Sequence, residues 1–279
     1  MNAANYMDAE QPMAEYLATP AISAGAINRG RISMLHMHEA MTGERAEPTD
    51  AMLTGTKFHG ALLEPDDFFE RLYVFKGDKR TKEYKELKAE HGAEWIVTDK
   101  EHAALFRMSQ NVHADPAAHR LISNTQHEIS VFWEHPDYGA AKARPDGYST
   151  MAGLFDIKST KGIDKRSFAR IAANIGYVQK MGFYRHGLEM VGEKPPLVHI
   201  ICIEQVPPFA VVVYSISDQL LDAGRDEAIE IARQYNACRL MGSYPGITEP
   251  GQIIPLELPA WATGGEDWIP EEAQNESLA

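Results

Sequence analysis

A chain of 279 residues, 44% hydrophobic and 24% charged, can bury a substantial core, which argues against wholesale disorder and for one large domain or two modest ones. Its only cysteines, Cys202 and Cys238, exclude an all-cysteine metal cluster and a disulfide scaffold, and no apolar run reaches the ~18 residues that span a bilayer. The net charge of −13 argues, taken alone, against a nucleic-acid partner. An acidic N-terminus without the basic-then-apolar pattern of a signal peptide, together with the cysteine usage, gives a cytoplasmic expectation.

In chain order, residues 1–20 read as a mobile tail. "AISAGAINRGRISMLHMHEA" has helical character, with Ser23 as N-cap and a break near Gly30. Thr49 or Asp50 caps a helix whose apolar positions Met52, Leu53, Phe58, Leu62 and Leu63 recur at helical spacing until Glu64, before Pro65. "KGDKRTKEYKELK" (Lys76 to Lys88) is basic, exposed and helical, and "TDKEHAALFRMSQNVHADP" continues that character. "EISVFWEH", "AAKARPDGYS" and "GLFDIKST" then read as three short strands. A long helix from about Lys165 to Val191 follows, then the strands "PLVHIICIEQV" and "FAVVVYSIS", then a helix opening at Ser217 or Asp218. This order predicts an α/β (α+β) fold, a mixed central sheet flanked by helices, in one domain over residues 21–262. The acidic residues 263–279 read as a disordered tail.

The stretch "KARPDGYSTMAGLFDIKST" concentrates charge inside two strand-like runs. With Met151-Ala152-Gly153 as a three-residue hairpin loop and Gly153 at positive φ, Asp146 falls opposite Lys158, and Tyr148 opposite Asp156. Residues two apart on a strand share a face, so Asp146, Asp156 and Lys158 point the same way while Phe155 and Ile157 face the core. Two neighbouring carboxylates suit Mg²⁺ or Mn²⁺, and a lysine beside the ion can orient a water and stabilise a phosphorus under in-line attack. The bland alternative is a cross-strand Asp–Lys salt bridge, which contributes under ~1 kcal/mol at a surface.

Pro145-Asp146 with Asp156-Ile157-Lys158 matches the PD-(D/E)XK nuclease signature, and further segments carry a more specific resemblance. "LTGTKFHGALLEPDDF", "AISAGAIN", "RTKEYKELK", "IGYVQKMGFYRHGL" and "GQIIPLELPAW" are similar, in order, to segments of the RecE-type exodeoxyribonuclease VIII family and related phage nucleases. The resemblance implies a PD-(D/E)XK nuclease core, Mg²⁺ dependence with Mn²⁺ as a substitute, and 5′→3′ degradation of double-stranded DNA ends. The 3′ overhang so made would pass to a single-strand annealing partner, and the chain would work as a homo-oligomer, a ring of three or four copies. It makes His59, Asp146 and Asp156 metal ligands with the Ile157 carbonyl completing the shell, and Lys158 the catalytic lysine. Read without the resemblance, His59 beside Phe58 and Leu62 is an ordinary packed histidine. Glu128, at the head of the first strand, is either an extra carboxylate or an exposed glutamate.

The family places a glutamine four residues before a tyrosine; here Gln179 stands five before Tyr184, and Lys180 holds the four-residue spacing. On a continuous helix, Gln179 lies near the azimuth of Phe168, Ile171, Ala172, Ile175 and Gly182, which favours it as the inward residue. Lys161, Lys165, Arg166 and Arg170 follow the catalytic strand into a helix N-terminus and are expected to meet DNA phosphate, with Tyr184 as a further contact. An acidic exterior is compatible with this if only the inner surface of a ring attracts DNA. Two rival readings are another nuclease of the superfamily, which would cut circular DNA or single strands, and a catalytically silent DNA-binding module.

Overall fold

The computed structural model of the chain describes residues 5–44 and 47–257. A compact unit, Met1–Gly246, is followed by a C-terminal segment, Ile247–Ala279, whose described residues form turns without helix or strand. The acidic tail expected over 263–279 lies outside the described residues.

The first unit opens with β1 (Tyr6–Asp8), α1 (Met13–Ala18), β2 (Ile22–Ser23), α2 (Ala24–Gly30) and α3 (Met34–Thr42). Then come α4 (Asp50–Leu63), α5 (Pro65–Arg71), β3 (Tyr73–Val74), α6 (Lys82–His91), a 3-10 turn at Ala93–Trp95, β4 (Ile96–Val97), α7 (Asp99–Ala114) and α8 (Pro116–Ser123). The sheet-forming half contains β5 (Gln126–His127), β6 (Ser130–His135), β7 (Gly139–Ala143), β8 (Gly147–Ser149) and β9 (Gly153–Thr160). It continues with α9 (Lys165–Ile175), α10 (Tyr177–Met190), β10 (Val198–Glu204), β11 (Val211–Ser215) and α11 (Asp218–Met241). Among the described residues no helix is long and apolar enough to cross a membrane.

Local chemistry explains the boundaries that spacing predicts. Ser23 Oγ accepts the Ala26 N–H at the head of α2, Thr49 Oγ1 accepts the Met52 N–H at the head of α4, and Ser217 Oγ accepts the Leu220 N–H at the head of α11. Glu64 ends α4 because Pro65 cannot continue it and instead starts α5.

Three expectations are corrected. Within the segment read as a tail, the described residues 5–20 are ordered: β1 pairs antiparallel with β6, and Lys142 Nζ donates to the Tyr16 and Thr19 carbonyls at 2.7 Å each, closing the C-terminal end of α1. Its partners lie more than a hundred residues away, so local composition carries no sign of them. The run "AAKARPDGYS" is two strands, β7 and β8, broken at Arg144-Pro145-Asp146 and assigned to different sheets. The helix predicted from Lys165 to Val191 is broken at Gly176, whose φ of +74° lies in the left-handed region that glycine tolerates.

A five-stranded mixed sheet, ordered β11-β10-β9-β8-β5, forms the centre; β9 and β10 run parallel and the other neighbours antiparallel. A second sheet, ordered β1-β6-β7-β2, stands beside it. On one face of the central sheet, Phe155, Ile157, Ile201 and Ile203 pack with Phe58, Leu62 and Val112 of α4 and α7. On the other, Ile200 and Cys202 meet Phe168 of α9. The register aligns Asp156 with Ile200 and Lys158 with Cys202, which places both charged residues on this second face. Both cysteines are buried and free.

Beside the second sheet, Trp133 Nε1 donates to the Tyr138 hydroxyl oxygen, and that hydroxyl meets His186 Nε2 at 3.0 Å. The chain of bonds requires neutral His186 as acceptor, since a protonated ring would leave the Tyr138 O–H without one. Burial, with His135 and Arg225 nearby, pushes the His186 imidazolium down to about 4. An unfolded histidine takes its proton near ~6.5, so the unfolded chain binds more protons between these values and stability falls as pH drops through them. Urea denaturation at pH 7 and pH 4.5 is expected to show a loss approaching ~3 kcal/mol from this residue. His186→Gln, which does not titrate, shrinks that difference; an unchanged pH slope in the variant would place the sensitivity elsewhere.

Candidate active site

The hairpin joining β8 and β9 has Gly153 at φ +92°, as its loop requires, but pairs Gly147 with Phe155 and Tyr148 with Leu154. The expected pairing of Tyr148 with Asp156 is therefore two residues out, with Thr150-Met151-Ala152 as the turn. Continued one step, the observed register sets Asp146 across from Asp156 instead of Lys158. A slip of two preserves strand parity, so the face assignment survives the correction.

Each side chain has an identifiable anchor. Because β8 begins only after Pro145-Asp146, the ladder ends at Gly147–Phe155 and the Ile157 N–H beyond it lacks a strand partner. Asp146 Oδ2 accepts that N–H at 2.5 Å, while Asp146 Oδ1 faces His59 Nδ1 across 3.6 Å, beyond hydrogen-bond range. His59 comes from α4, which its neighbours Phe58 and Leu62 hold against the sheet. Asp156, only 1% exposed, spends both oxygens on lysines: Oδ2 on Lys158 and Oδ1 on Lys180 Nζ at 2.7 Å. Lys158 Nζ also donates to the Ile157 carbonyl at 2.9 Å and lies 5.3 Å from the Tyr177 ring.

Burial raises the Asp156 carboxyl, but the ammonium groups of Lys158 and Lys180 more than reverse this and hold it well below the usual carboxylate range. Asp146 goes the other way: burial first, then the charge of Asp156, raise it, and His59 and the lysines compensate only in part. Burial lowers Lys180, yet Asp156 and Tyr184 outweigh it and keep the ammonium charged well above its ordinary range.

The structure does not bring Gln179 to the carboxylates. Its Nε2 donates to Glu227 on α11 at 2.7 Å, and Lys180 is the residue aimed at Asp156. Gln179 lies on the inward azimuth only if the helix is continuous, and the break at Gly176 lets α10 rotate independently of the apolar stripe of α9. On α10 itself, Tyr177, Lys180 and Tyr184 share a face at i, i+3 and i+7. The signal that marked Lys180 was the four-residue spacing to Tyr184. Tyr184, expected as a DNA contact, is 7% exposed and packed under Lys180, whose Nζ stands 5.1 Å from its ring.

Lys161, Lys165, Arg166 and Arg170 are exposed along the exit of β9 and the first turns of α9. The helix N-terminus expected to take phosphate is already capped, because Asp164 Oδ1 accepts the Arg166 and Ser167 N–H groups at 3.0 Å each. Glu128 accepts from Arg144 Nε at 3.3 Å, and Arg144 also binds Ser130 Oγ and the Gln11 carbonyl. Glu128 thus serves the junction between the sheets.

Among the described residues no group of three or more His, Cys, Asp or Glu stands arranged to hold a metal ion. The donors at the site nevertheless fit one hard divalent cation. Asp146 Oδ1 and His59 Nδ1 face each other without a hydrogen bond, at a spacing compatible with two ligands that each sit ~2 Å from a shared ion. Asp156 adds a third donor once one of its oxygens is released by a lysine.

Residues 28–254 match the family described as a PDDEXK-like domain of unknown function (DUF3799). No curated protein matches. Among solved structures, a candidate exonuclease from Eubacterium rectale is 12% identical, covers 92% of this chain and 99% of its own length, and superposes with a TM-score of 0.56. A phage-related exonuclease from Haemophilus somnus is 13% identical, covering 82% of this chain and 99% of its own, with a TM-score of 0.35. The first of these supports the fold; the second is too distant to add to it. The family match takes in the helix of His59, the hairpin of Asp146, Asp156 and Lys158, and the helix of Lys180, and the chain belongs to this PDDEXK-like family.

Proposed function

We propose that the protein is a divalent-metal-dependent exodeoxyribonuclease that degrades linear double-stranded DNA from its 5′ ends and leaves 3′ overhangs for strand annealing. One observation carries this reading: His59, Asp146, Asp156 and Lys158, from three separate places in the chain, converge in one partly buried patch of a PDDEXK-like fold.

Mg²⁺, with Mn²⁺ as a substitute, would polarise a phosphate oxygen and lower the pKa of a bound water. His59, Asp146 and Asp156 would hold it, with the Ile157 carbonyl alongside. Lys158 sets its ammonium where negative charge develops on the phosphate under attack, the step that most needs a fixed positive group. Asp146 also fixes the Ile157 amide, so the β9 backbone that carries Asp156 and Lys158 is held still. Gln179 and Tyr184 take no part in this scheme. Lys161, Lys165, Arg166 and Arg170 offer an exposed basic track for the DNA backbone. A ring of three or four copies would turn that track inward and leave the acidic surface outside; a single-strand annealing protein is the partner such a product implies, in phage-type recombination in the cytoplasm.

Duplexes labelled at one 5′ or one 3′ end, incubated with and without Mg²⁺, test the proposal. Release is expected only with Mg²⁺, first from the 5′ label, while a circular plasmid stays intact. Cutting of the circle would replace the exonuclease by an endonuclease; no release under any divalent ion would leave a silent DNA-binding module.

A further inference from the structure

The partner of Asp156 on α10 is a charged group where the family resemblance calls for an amide. We propose that Lys180 restricts this site to a single divalent cation and weakens its hold on that cation, by keeping one oxygen of Asp156 and supplying a positive charge from the protein. The inference rests on the metal-dependent reading above and concerns how that same site is loaded.

The geometry leaves Asp156 little choice. At 1% exposure it cannot turn an oxygen to solvent, so a cation can use Oδ1 only by displacing an ammonium held at 2.7 Å. Lys180 is itself firmly placed. A Cβ on Gly182 would come within 2.5 Å of the Arg225 nitrogen, and one on Gly224 within 2.4 Å of the Val178 carbonyl oxygen, so α10 and α11 touch backbone to backbone on either side of this turn. Tyr184, buried one turn further on, supports the ammonium from beneath. Lys180 is therefore a fixed part of the site's wall.

Charge then sets the number of ions. Lys158 and Lys180 both pair with Asp156, so two ammonium groups stand against the two carboxylates of the patch before any metal arrives. One divalent ion brings the patch to a net positive charge that suits incoming phosphate; a second would meet that charge with no carboxylate oxygen left over. Asp146 Oδ1 and His59 Nδ1, which no lysine occupies, are the place for the single ion. Lys180 acts through Asp156 and through its field, as a positioning residue.

Mn²⁺ titration calorimetry and native mass spectrometry on the full chain read this directly. Wild type is expected to bind one Mn²⁺ in a manner that Asp156→Asn abolishes. Lys180→Gln, which removes the charge but can still donate a hydrogen bond, is expected to tighten Mn²⁺ by about tenfold or more. Lys180→Arg, which keeps the charge, stays within about threefold of wild type. A role limited to packing would not make the glutamine variant bind metal more tightly than the parent. Equal or weaker binding in Lys180→Gln overturns the inference. So do two tightly bound Mn²⁺ ions per chain in wild type, a count that needs no variant. The two readings separate cleanly: tighter Mn²⁺ without digestion of duplex DNA by wild type removes the nuclease and keeps the role of Lys180, and digestion with unchanged Mn²⁺ affinity does the opposite.

Discussion

Replacing Asp156 by asparagine is expected to lower Mg²⁺-dependent release of nucleotides from linear duplex DNA on the order of a thousandfold or more. The carboxylate has two duties in the proposed chemistry: it ligates the ion, and it holds Lys158 in place. Asparagine is preferable to alanine because it preserves a hydrogen-bond acceptor between the two ammonium groups. Some stability is still lost, about 3 kcal/mol, because a neutral amide leaves two partly buried positive charges less well paired. Urea denaturation beside the digestion assay separates the two effects, since the chemistry must fail while the protein is still folded. The pH dependence carries the same signature. The Asp156 carboxyl is depressed in the folded state, so its stabilising contribution is complete above the unfolded value near ~4 and disappears as pH falls below it. Asp156→Asn should be less sensitive across that acid limb. Full activity in the variant would remove Asp156 from the proposed chemistry and, with it, the site built around it.

The second large effect is expected away from the charged residues. Gly182→Ala places a methyl group 2.5 Å from the Arg225 nitrogen and 2.6 Å from the Leu221 carbonyl oxygen, both backbone atoms of α11. Neither can rotate away, so α10 must lift off its neighbour, at a cost of ~3 kcal/mol. A chain of this size then melts about 6–12 °C lower. Activity should fall as well, because Lys180 and Tyr184 flank Gly182 on the same helix. Gly55→Ala is the matched control: it lies within α4, its added Cβ would touch nothing within 4 Å, and helix propensity favours alanine by up to about 1 kcal/mol. Equal melting temperatures for the two variants would show that α10 and α11 are not locked at this point.

What could be read from the chain beforehand followed the range of the interactions involved. Caps and turns are local, so Ser23, Thr49, Pro65, Gly153 and Ser217 were legible as boundaries. The shared face of Asp146, Asp156 and Lys158 followed from strand parity, which does not depend on the hairpin register being right. The register itself is not fixed by the sequence, because two three-residue loops, one residue apart, fit the same residues around Gly153. The order of residues 5–20 is illegible for another reason: the carbonyls of Gln11, Tyr16 and Thr19 accept from Arg144 and Lys142, which sequence proximity does not connect to them. Gln179 failed on a single glycine. Gly176 could have been taken as a helix break, and treating α10 as a new helix puts Lys180 and Tyr184, not Gln179, on one working face.

The break at Arg144-Pro145-Asp146 sends consecutive strands into two different sheets, and this junction has a mechanical side. Any tilt of one sheet against the other must be absorbed within three residues, of which the middle one is a ring with a fixed φ. Arg144 grips the first sheet and its N-terminal segment; Asp146 grips the Ile157 amide of the second. The proline that makes the motif recognisable therefore also serves as a stiff coupling, so that a push applied to the amino-terminal strand arrives at the carboxylate without being lost in a soft loop.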